Sequence, residues 1–208
     1  MHTQRAIIAE GPSRVRIDSD VEIPQPGDNE VLVKVHSVAL NPVDWKTLAY
    51  SSTPGAVSGC DFSGTIAGPA GPKSQRVWNA GDRVCGWVMG GNPLRPSNGS
   101  FAEYVVAKAD LLFKIPDGTS FETAATLGIS ASTGGLALFK TLGLSFAERK
   151  VTPSSPAVLV YGAATSSGII AIQLLQHAGY RAIAVCSPQN FGLVNDLGAE
   201  VAFDYHSV

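Results

Sequence analysis

The sequence predicts an α/β protein with two domains, a β-rich domain over residues 1–150 and the beginning of a parallel-sheet domain over residues 151–208. Two observations support this. Near residue 160, a short apolar run, a turn of small residues and an amphipathic run follow one another, as in the strand, loop and helix of a parallel sheet. The first hundred residues instead contain short strand patterns separated by Gly and Pro, which is typical of a small barrel or twisted sheet.

The β-rich part contains three predicted strands and then a helical run. Apolar residues indicate strands at 31–38, 84–88 and 101–106, each next to a turn rich in Gly or Pro. From residue 121 to residue 142 the pattern becomes helical, with Ser120 as the predicted N-cap and Glu122 in the first turn. Residues 145–156 are predicted to connect this run to the second domain.

The second domain begins with a predicted strand at 157–161, a turn at 162–168 and a helix at 168–178 that Gly179 ends. The strand is continuously apolar, which predicts burial on both of its faces. Unpaired N–H groups and the helix dipole bind a phosphate at such a helix N-terminus, provided that the side chains are small. Gly162 and Gly168 hold the outer positions of this turn, and the order of strand, turn and helix predicts dinucleotide binding. Thr165, Ser166 and Ser167 are expected to add hydroxyl donors.

A second strand at 181–186 indicates which nicotinamide dinucleotide is bound. An acidic residue at its end would accept from the 2′-OH of NAD and repel a 2′-phosphate. This chain has Ser187 there and no acidic residue before Asp196, which favours NADP, although no Arg or Lys stands beside Ser187. A helix through Leu197 and a third strand from Val201 are predicted to follow.

Composition excludes several functional classes. With 45% hydrophobic and 15% charged residues, the chain suits a globular fold, and its net charge of −2 argues against nucleic acid as a partner. It has no apolar run of membrane-spanning length and no signal-peptide core, so the prediction is a cytoplasmic protein that does not bind a membrane. Cys60, Cys85 and Cys186 are scattered and are predicted to be buried apolar residues.

Five ordered motifs resemble those of medium-chain dehydrogenase/reductases, and the phosphate-binding turn follows them at the expected distance. The motifs lie at residues 41–46, 59–64, 80–84, 99–104 and 133–135. Within that superfamily the chain resembles the zinc-independent branch, and most closely the trans-acting enoyl reductases that serve fungal highly reducing polyketide synthases. The resemblance implies a GroES-like catalytic domain followed by a Rossmann domain that binds NADPH.

No metal is expected. A catalytic zinc needs about three Cys, His or carboxylate ligands. Zinc-dependent relatives carry Cys near the position of Val43 and Gly-His-Glu where this chain has Gly59, Cys60 and Asp61, so neither ligand motif is present.

The resemblance also implies the roles of individual residues. Lys46 and Thr133 are the implied catalytic residues. The implied cofactor-binding residues are Val43, Asp44, Trp45, Lys46, Ala164, Thr165, Ser166, Ser167, Ser187, Pro188, Gln189, Asn190 and Tyr205. The implied substrate-binding residues are Gly128, Ile129, Ser130, Ala131, Ser132, Thr133, Gly134 and Gly135. The implied partner is a highly reducing polyketide synthase, whose acyl carrier protein presents the substrate, and the expected oligomeric state is a monomer.

Each role has a structural alternative. Lys46 can be a solvated surface lysine, Asp44 can cap a helix, and Thr133 can bond back to a helix carbonyl. Tyr205 can be an ordinary strand aromatic residue. His36, His177 and His206 show no partner pattern and are expected to be structural or exposed.

The predicted Rossmann domain is incomplete, since three strands follow Pro156 where a complete sheet has six. Three functions therefore remain open: an NADPH-dependent enoyl reductase acting on a tethered acyl chain, an NADPH quinone or alkenal oxidoreductase acting on free substrates, and an inactive remnant.

Overall fold

The computed structural model describes residues 3–207 and divides into two compact units, Met1–Ile129 and Ser130–Val208. This division lies before the sequence-based domain boundary at residues 150 and 151. The first unit is built from antiparallel sheets, and the second contains a parallel sheet with helices. The predicted α/β fold class is therefore confirmed.

The first unit opens with an antiparallel hairpin of β1 (Thr3–Gly11) and β2 (Arg14–Glu22). Ser13 in the connecting turn has φ of 56°, a left-handed conformation that a non-glycine residue rarely adopts. Sequence patterns did not single out either strand. Most of β2 is exposed, so it has little of the apolar alternation that marks a half-buried strand.

A five-stranded antiparallel sheet forms the centre of this unit. Its strands lie in the order β6, β3, β4, β5, β7, and their bounds are β3 (Glu30–Ala39), β4 (Asp61–Ile66), β5 (Arg83–Trp87), β6 (Tyr104–Lys108) and β7 (Phe113–Lys114). The predicted strands correspond to β3, β5 and β6, whereas β4 was recognised only as part of a motif. Val33, Phe62, Val84 and Val105 are fully buried in its core.

The first unit also contains helical segments. The helix α1 (Pro42–Tyr50) connects β3 to β4, and α2 (Phe121–Ala125) begins after Ser120, whose hydroxyl accepts from the Thr123 N–H at 3.1 Å. This confirms Ser120 as the N-cap. The predicted helical run over 121–142 is present but divided: the chain turns after α2, resumes as α3 (Gly128–Gly135) and then forms a π-helical segment, Leu136–Thr141.

The second unit contains three parallel strands in the order β10, β9, β8. Its elements are β8 (Ala157–Tyr161), α4 (Ser166–His177), β9 (Arg181–Cys186), a short 3₁₀ turn (Pro188–Asn190), α5 (Phe191–Asp196) and β10 (Ala199–Asp204). The predicted first and second strands have the observed bounds, and the third begins two residues before the predicted Val201.

The helices of this unit cover one face of its sheet. Val160 on β8 and Ala182 on β9 are buried with Ile172 and Leu175 of α4. On the opposite face Leu159 is 64% exposed, and Tyr161 and Phe203 are also exposed. The predicted burial of the first strand on both faces is therefore wrong, because α4 and α5 pack on the same side of the three strands.

Candidate functional site

The turn between β8 and α4 brings the backbone of the strand and the helix very close together. Gly162 has φ of +73°, which favours glycine, and Gly168 lies in the first turn of α4. A Cβ atom at Gly168 would lie 2.7 Å from the Ala163 carbonyl oxygen and closer still to that of Gly162. The N–H groups of Ser166 and Ser167 have no intrahelical acceptor, so the turn fits a bound phosphate.

Thr165 caps α4. Its hydroxyl accepts from the Gly168 N–H at 3.2 Å and donates to the Gly162 carbonyl at 2.8 Å. The expectation of three free hydroxyl donors therefore needs correction, because the single hydroxyl proton of Thr165 is already used within the turn. The hydroxyls of Ser166 and Ser167 make no hydrogen bond with another residue in the described range 3–207, and they remain available to a ligand.

A cleft of about 290 Å³ opens beside this turn, at the carboxyl ends of the strands. The Ser187 hydroxyl donates to the Tyr205 hydroxyl at 3.3 Å, which joins the ends of β9 and β10. The residues that line the cleft are Tyr161, Gly162, Ala164, Thr165, Val185, Cys186, Ser187, Asn190 and Tyr205. Five of these are predicted cofactor residues: Ala164, Thr165, Ser187, Asn190 and Tyr205.

The remaining predicted cofactor residues of this unit lie around the cleft. Pro188 and Gln189 are exposed in the 3₁₀ turn, and Ser166 and Ser167 begin α4. Tyr161 and Val185 line the cleft but were not predicted. Their position at or near the carboxyl end of a parallel strand is the signal that would have found them, because ligands bind at that edge of an open α/β sheet.

In the first unit, the predicted segment Val43 to Lys46 lies in the first half of α1. Val43, Trp45 and Lys46 are exposed, and the Lys46 Nζ lies 5.6 Å from the centre of the Trp45 ring. Asp44 is half-buried, and its carboxylate accepts from the Asn41 N–H at 2.8 Å. Asp44 therefore makes the helix-capping contact that was the structural alternative to cofactor binding.

The start of α3 packs against a buried carboxylate. Asp61 is 1% exposed and accepts from the Asn41 side-chain amide and from the Ile129 N–H, each at 2.8 Å. Burial raises the pKa of the Asp61 carboxyl above its usual range, while these two hydrogen bonds favour the ionised form. A Cβ atom at Gly128 would collide with the Asp61 Oδ1 and lie 2.6 Å from the Gly86 carbonyl oxygen.

The other predicted substrate residues continue along α3. Thr133 is exposed, and its hydroxyl makes no bond back to a carbonyl among residues 3–207. Gly134 packs against α4, where an added Cβ would lie 3.3 Å from a methyl group of Leu174. The π-helical segment that follows α3 is a local irregularity of a kind that is frequent at functional sites.

The cysteine thiols are buried and unreactive. Cys60, Cys85 and Cys186 are free and buried, and burial is the main cause that raises the pKa of Cys60 to about 12 and that of Cys85 to about 11. Such thiols are poor nucleophiles. Within the described range, no three His, Cys, Asp or Glu residues are arranged to hold a metal ion.

Comparison with known proteins identifies the family. The alcohol dehydrogenase GroES-like domain matches residues 27–117. A trans-enoyl reductase of Cochliobolus carbonum is 43% identical over 208 residues, which is 100% of this chain and 69% of the relative. The chain belongs to the zinc-independent medium-chain dehydrogenase/reductases. Another member, a trans-enoyl reductase of Penicillium crustosum, is 48% identical over 214 residues and covers 97% of this chain, but the match spans only 57% of that relative.

Solved structures of this oxidoreductase family have the same fold. The quinone oxidoreductase of Coxiella burnetii superposes with a TM-score of 0.74 at 28% identity, covering 100% of this chain and 64% of its own. A mycobacterial protein complexed with NADPH superposes with a TM-score of 0.69 at 28% identity, covering 97% of this chain and 58% of its own. In the part that the structure describes, no helix combines the length and apolarity needed to cross a bilayer.

Proposed function

We propose that this dehydrogenase/reductase is an NADPH-dependent trans-acting enoyl reductase, which reduces the α,β-double bond of an acyl chain tethered to the carrier protein of a highly reducing polyketide synthase. The observation that carries the proposal is the 43% identity over the whole chain with a relative named as a trans-enoyl reductase. The cleft at the carboxyl ends of β8 and β9 supports the nucleotide part of it.

The residues of the second unit fit a dinucleotide. The first-turn N–H groups of α4 and the hydroxyls of Ser166 and Ser167 would bind the pyrophosphate. Gly162, with its positive φ, and Gly168, at which a Cβ would collide with carbonyl oxygens of the turn, allow the tight turn that presents these N–H groups. Ser187, Pro188, Gln189 and Asn190 would meet the adenosine 2′-phosphate, with Tyr205 packed at the adenosine.

Preference for NADP over NAD rests on the end of β9. Ser187 stands where an NAD-specific site usually has an acidic residue, and its hydroxyl pairs with that of Tyr205. The carboxylate of Asp204, at the end of β10, instead accepts from the backbone N–H of His206 and lies 3.0 Å from the Nδ1 of that histidine. In this pairing the proton of the Tyr205 hydroxyl is left to donate to a phosphate, and neither hydroxyl exerts the repulsion that a free carboxylate would exert.

The exposed residues Val43, Trp45 and Lys46 of α1, in the first unit, are proposed to contact NADPH. Residues 128–135, which form α3, are proposed to line the substrate channel. Bound NADPH supplies the hydride that reduces the β-carbon. Lys46 and Thr133 are the proposed catalytic side chains, because each can donate a hydrogen bond to oxygen and each is exposed to an incoming ligand.

The first test compares thermal stabilisation of the chain by NADPH and by NADH. A ligand that binds only the folded state raises its stability, so selective stabilisation by NADPH is expected. Ser187→Ala and Tyr205→Phe should reduce the difference between the two nucleotides. Tyr104→Phe, a matched change on β6 of the first unit, should leave it intact. Absence of stabilisation by either nucleotide would refute the proposal and favour the inactive remnant.

Reduction of free quinones or alkenals is the second candidate, favoured by the fold shared with the quinone oxidoreductase of Coxiella burnetii. NADPH oxidation should be followed with three substrates: an enoyl thioester on a carrier protein, the same enoyl group as a thioester of a small thiol, and a quinone. Faster turnover of the carrier-bound substrate supports the first function, whereas equal or faster turnover of free substrates supports the second. The monomeric state and the cytoplasmic location stay predictions.

A further inference from the structure

Asp61 occupies a rigid position in the first unit. It is the first residue of β4, the middle strand of the five-stranded sheet, where it pairs with Ala39 on one side and with Trp87 on the other. Its side chain is buried, and the two oxygens of its carboxylate bond to different partners. A carboxylate held by a central strand has little freedom to move, so groups bonded to it are located accurately.

Each oxygen holds the start of a different helix. Oδ2 accepts from the side-chain amide of Asn41, the residue that immediately precedes α1, and Oδ1 accepts from the N–H of Ile129, the second residue of α3. The backbone N–H of Asn41 is in turn bound by Asp44. Asn41 is therefore fixed twice, through its side chain to the sheet and through its backbone to the helix that it opens.

The start of α3 lies so close to the Asp61 carboxylate that no side chain fits at position 128. A Cβ atom at Gly128 would overlap the Asp61 Oδ1, so the chain approaches the carboxylate as closely as a residue without a side chain permits. Burying a carboxylate is costly unless its oxygens accept hydrogen bonds, and here both do. The raised pKa of Asp61 reflects that cost.

We infer that Asp61 is a positioning residue, which sets the places of the α1 segment Val43 to Lys46 and of the start of α3 through two separate hydrogen bonds. The inference rests on the proposed function, since it assigns Asp61 to segments proposed to contact NADPH and substrate. Asp61 itself is buried behind those segments and acts through Asn41 and Ile129.

Three variants distinguish the effects of the two hydrogen bonds that Asp61 accepts from Asn41 and Ile129. Asp61→Ala removes both acceptors, and Asn41→Ala removes only the bond toward α1. Asp61→Asn is the conservative variant: its Oδ1 still accepts from the Ile129 N–H, and its amide donates to Asn41 once the Asn41 amide turns over. Gln4→Ala is the matched control, because Gln4 is also buried and its Oε1 accepts from the Tyr104 N–H at 2.7 Å, away from α1 and α3.

Two measurements are made on the full chain: hydrogen exchange of individual amides, and NADPH affinity by fluorescence titration. Asp61→Ala is expected to speed exchange at Ile129 and through the first turn of α1, and to raise the Kd of NADPH about tenfold, because small misplacements of a binding group are costly. Asn41→Ala should speed exchange in α1 but not at Ile129. Asp61→Asn should stay within about threefold of the original Kd, by the same reasoning.

The outcomes separate this inference from the proposed function. If the unmodified chain binds NADPH and Asp61→Ala changes its Kd no more than Gln4→Ala does, Asp61 is merely structural and the inference is overturned. If the unmodified chain does not bind NADPH, the proposed function fails, and hydrogen exchange alone decides about Asp61. In that case unchanged exchange at both Ile129 and α1 in Asp61→Ala overturns the inference, and faster exchange at both supports it.

Discussion

Substituting Gly168 by Ala tests the phosphate-binding turn most directly. The new Cβ would lie 2.7 Å from the Ala163 carbonyl oxygen and would also collide with the Gly162 carbonyl oxygen. Both obstacles are backbone atoms of the turn, which cannot rotate away as a flexible side chain can. Either α4 must shift away from β8 or the turn must open, and both changes alter the place where the phosphate is expected.

The expected loss of stability follows from three contributions. Forcing a methyl group into a filled site costs about 1–3 kcal/mol. A shift of α4 would also weaken the cap bond from the Gly168 N–H to Thr165, worth about 1 kcal/mol. Alanine gains up to about 1 kcal/mol over glycine within a helix. The net effect should be a loss of about 1–3 kcal/mol in the second unit, together with weaker NADPH binding.

The assay must report on the second unit by itself. All three tryptophans, Trp45, Trp78 and Trp87, lie in the first unit, so their fluorescence follows unfolding there. Hydrogen exchange of the α4 and β9 amides follows the second unit, and nucleotide titration follows the cleft. Gly168→Ala should reduce amide protection in α4 and β9 while the tryptophan-detected urea midpoint changes little.

Gly192→Ala is the matched control. Gly192 lies in α5, and an added Cβ there would meet no atom within 4 Å. The same substitution should therefore be neutral or stabilise by up to about 1 kcal/mol, with nucleotide affinity unchanged. Retention of both α4 protection and NADPH affinity in Gly168→Ala would refute the tight-turn reasoning.

Three further predictions concern other parts of the chain. Lys46→Ala should change the free energy of unfolding by less than about 0.5 kcal/mol, since the side chain is exposed, yet reduce NADPH-dependent turnover; unchanged turnover would favour a solvated lysine. Glu30 is buried, and its hydrogen bonds from Arg95 lead the causes that hold the pKa of Glu30 at about 2, below the usual 4.5. The stabilisation is thus present above pH 4.5 and lost as the pH falls toward 2. Glu30→Gln should lower the free energy of unfolding by about 2–3 kcal/mol at neutral pH and remove the loss of stability at low pH, as measured by urea unfolding. A variant that loses stability with falling pH as the unmodified chain does would contradict this assignment to Glu30. On β8, Val160→Ala should cost about 2 kcal/mol and Leu159→Ala less than about 0.5 kcal/mol, as measured by hydrogen exchange; equal costs would contradict a sheet covered on one face.

The second unit was predicted well because its signals are local. The strand Ala157–Tyr161 is continuously apolar and Arg181–Cys186 is apolar after its first residue, and Gly162 and Ser187 follow them, so both strands could be predicted from the sequence alone. The cleft residues Ser187 and Tyr205 follow directly from the ends of β9 and β10. The local pattern could not show which faces of the sheet the helices cover, because the same apolar run is compatible with burial on one face or on both.

The first unit was predicted less completely because its contacts are distant in sequence. Asp61 bonds to Asn41 and to Ile129, which lie 20 and 68 residues away along the chain. Periodicity within a window of residues cannot reveal such a pairing. The strand β4 was missed for a related reason: its residues are nearly all buried and include polar side chains, so the alternation that marks a half-buried strand is absent.

Thr165 shows why residue type alone does not define a ligand in this turn. Its hydroxyl closes the turn onto Gly162 and caps α4 at Gly168, so Thr165→Val would cost about 1 kcal/mol of helix stability whether or not a phosphate binds. Weaker NADPH binding by that variant would therefore not identify a phosphate ligand. Ser166→Ala and Ser167→Ala leave the cap intact, and their hydroxyls have no other partner among residues 3–207. If either serine variant raises the Kd of NADPH without a change in the amide protection of α4, that serine hydroxyl binds the phosphate. If the affinity is unchanged in both variants, the backbone N–H groups bind the phosphate without them.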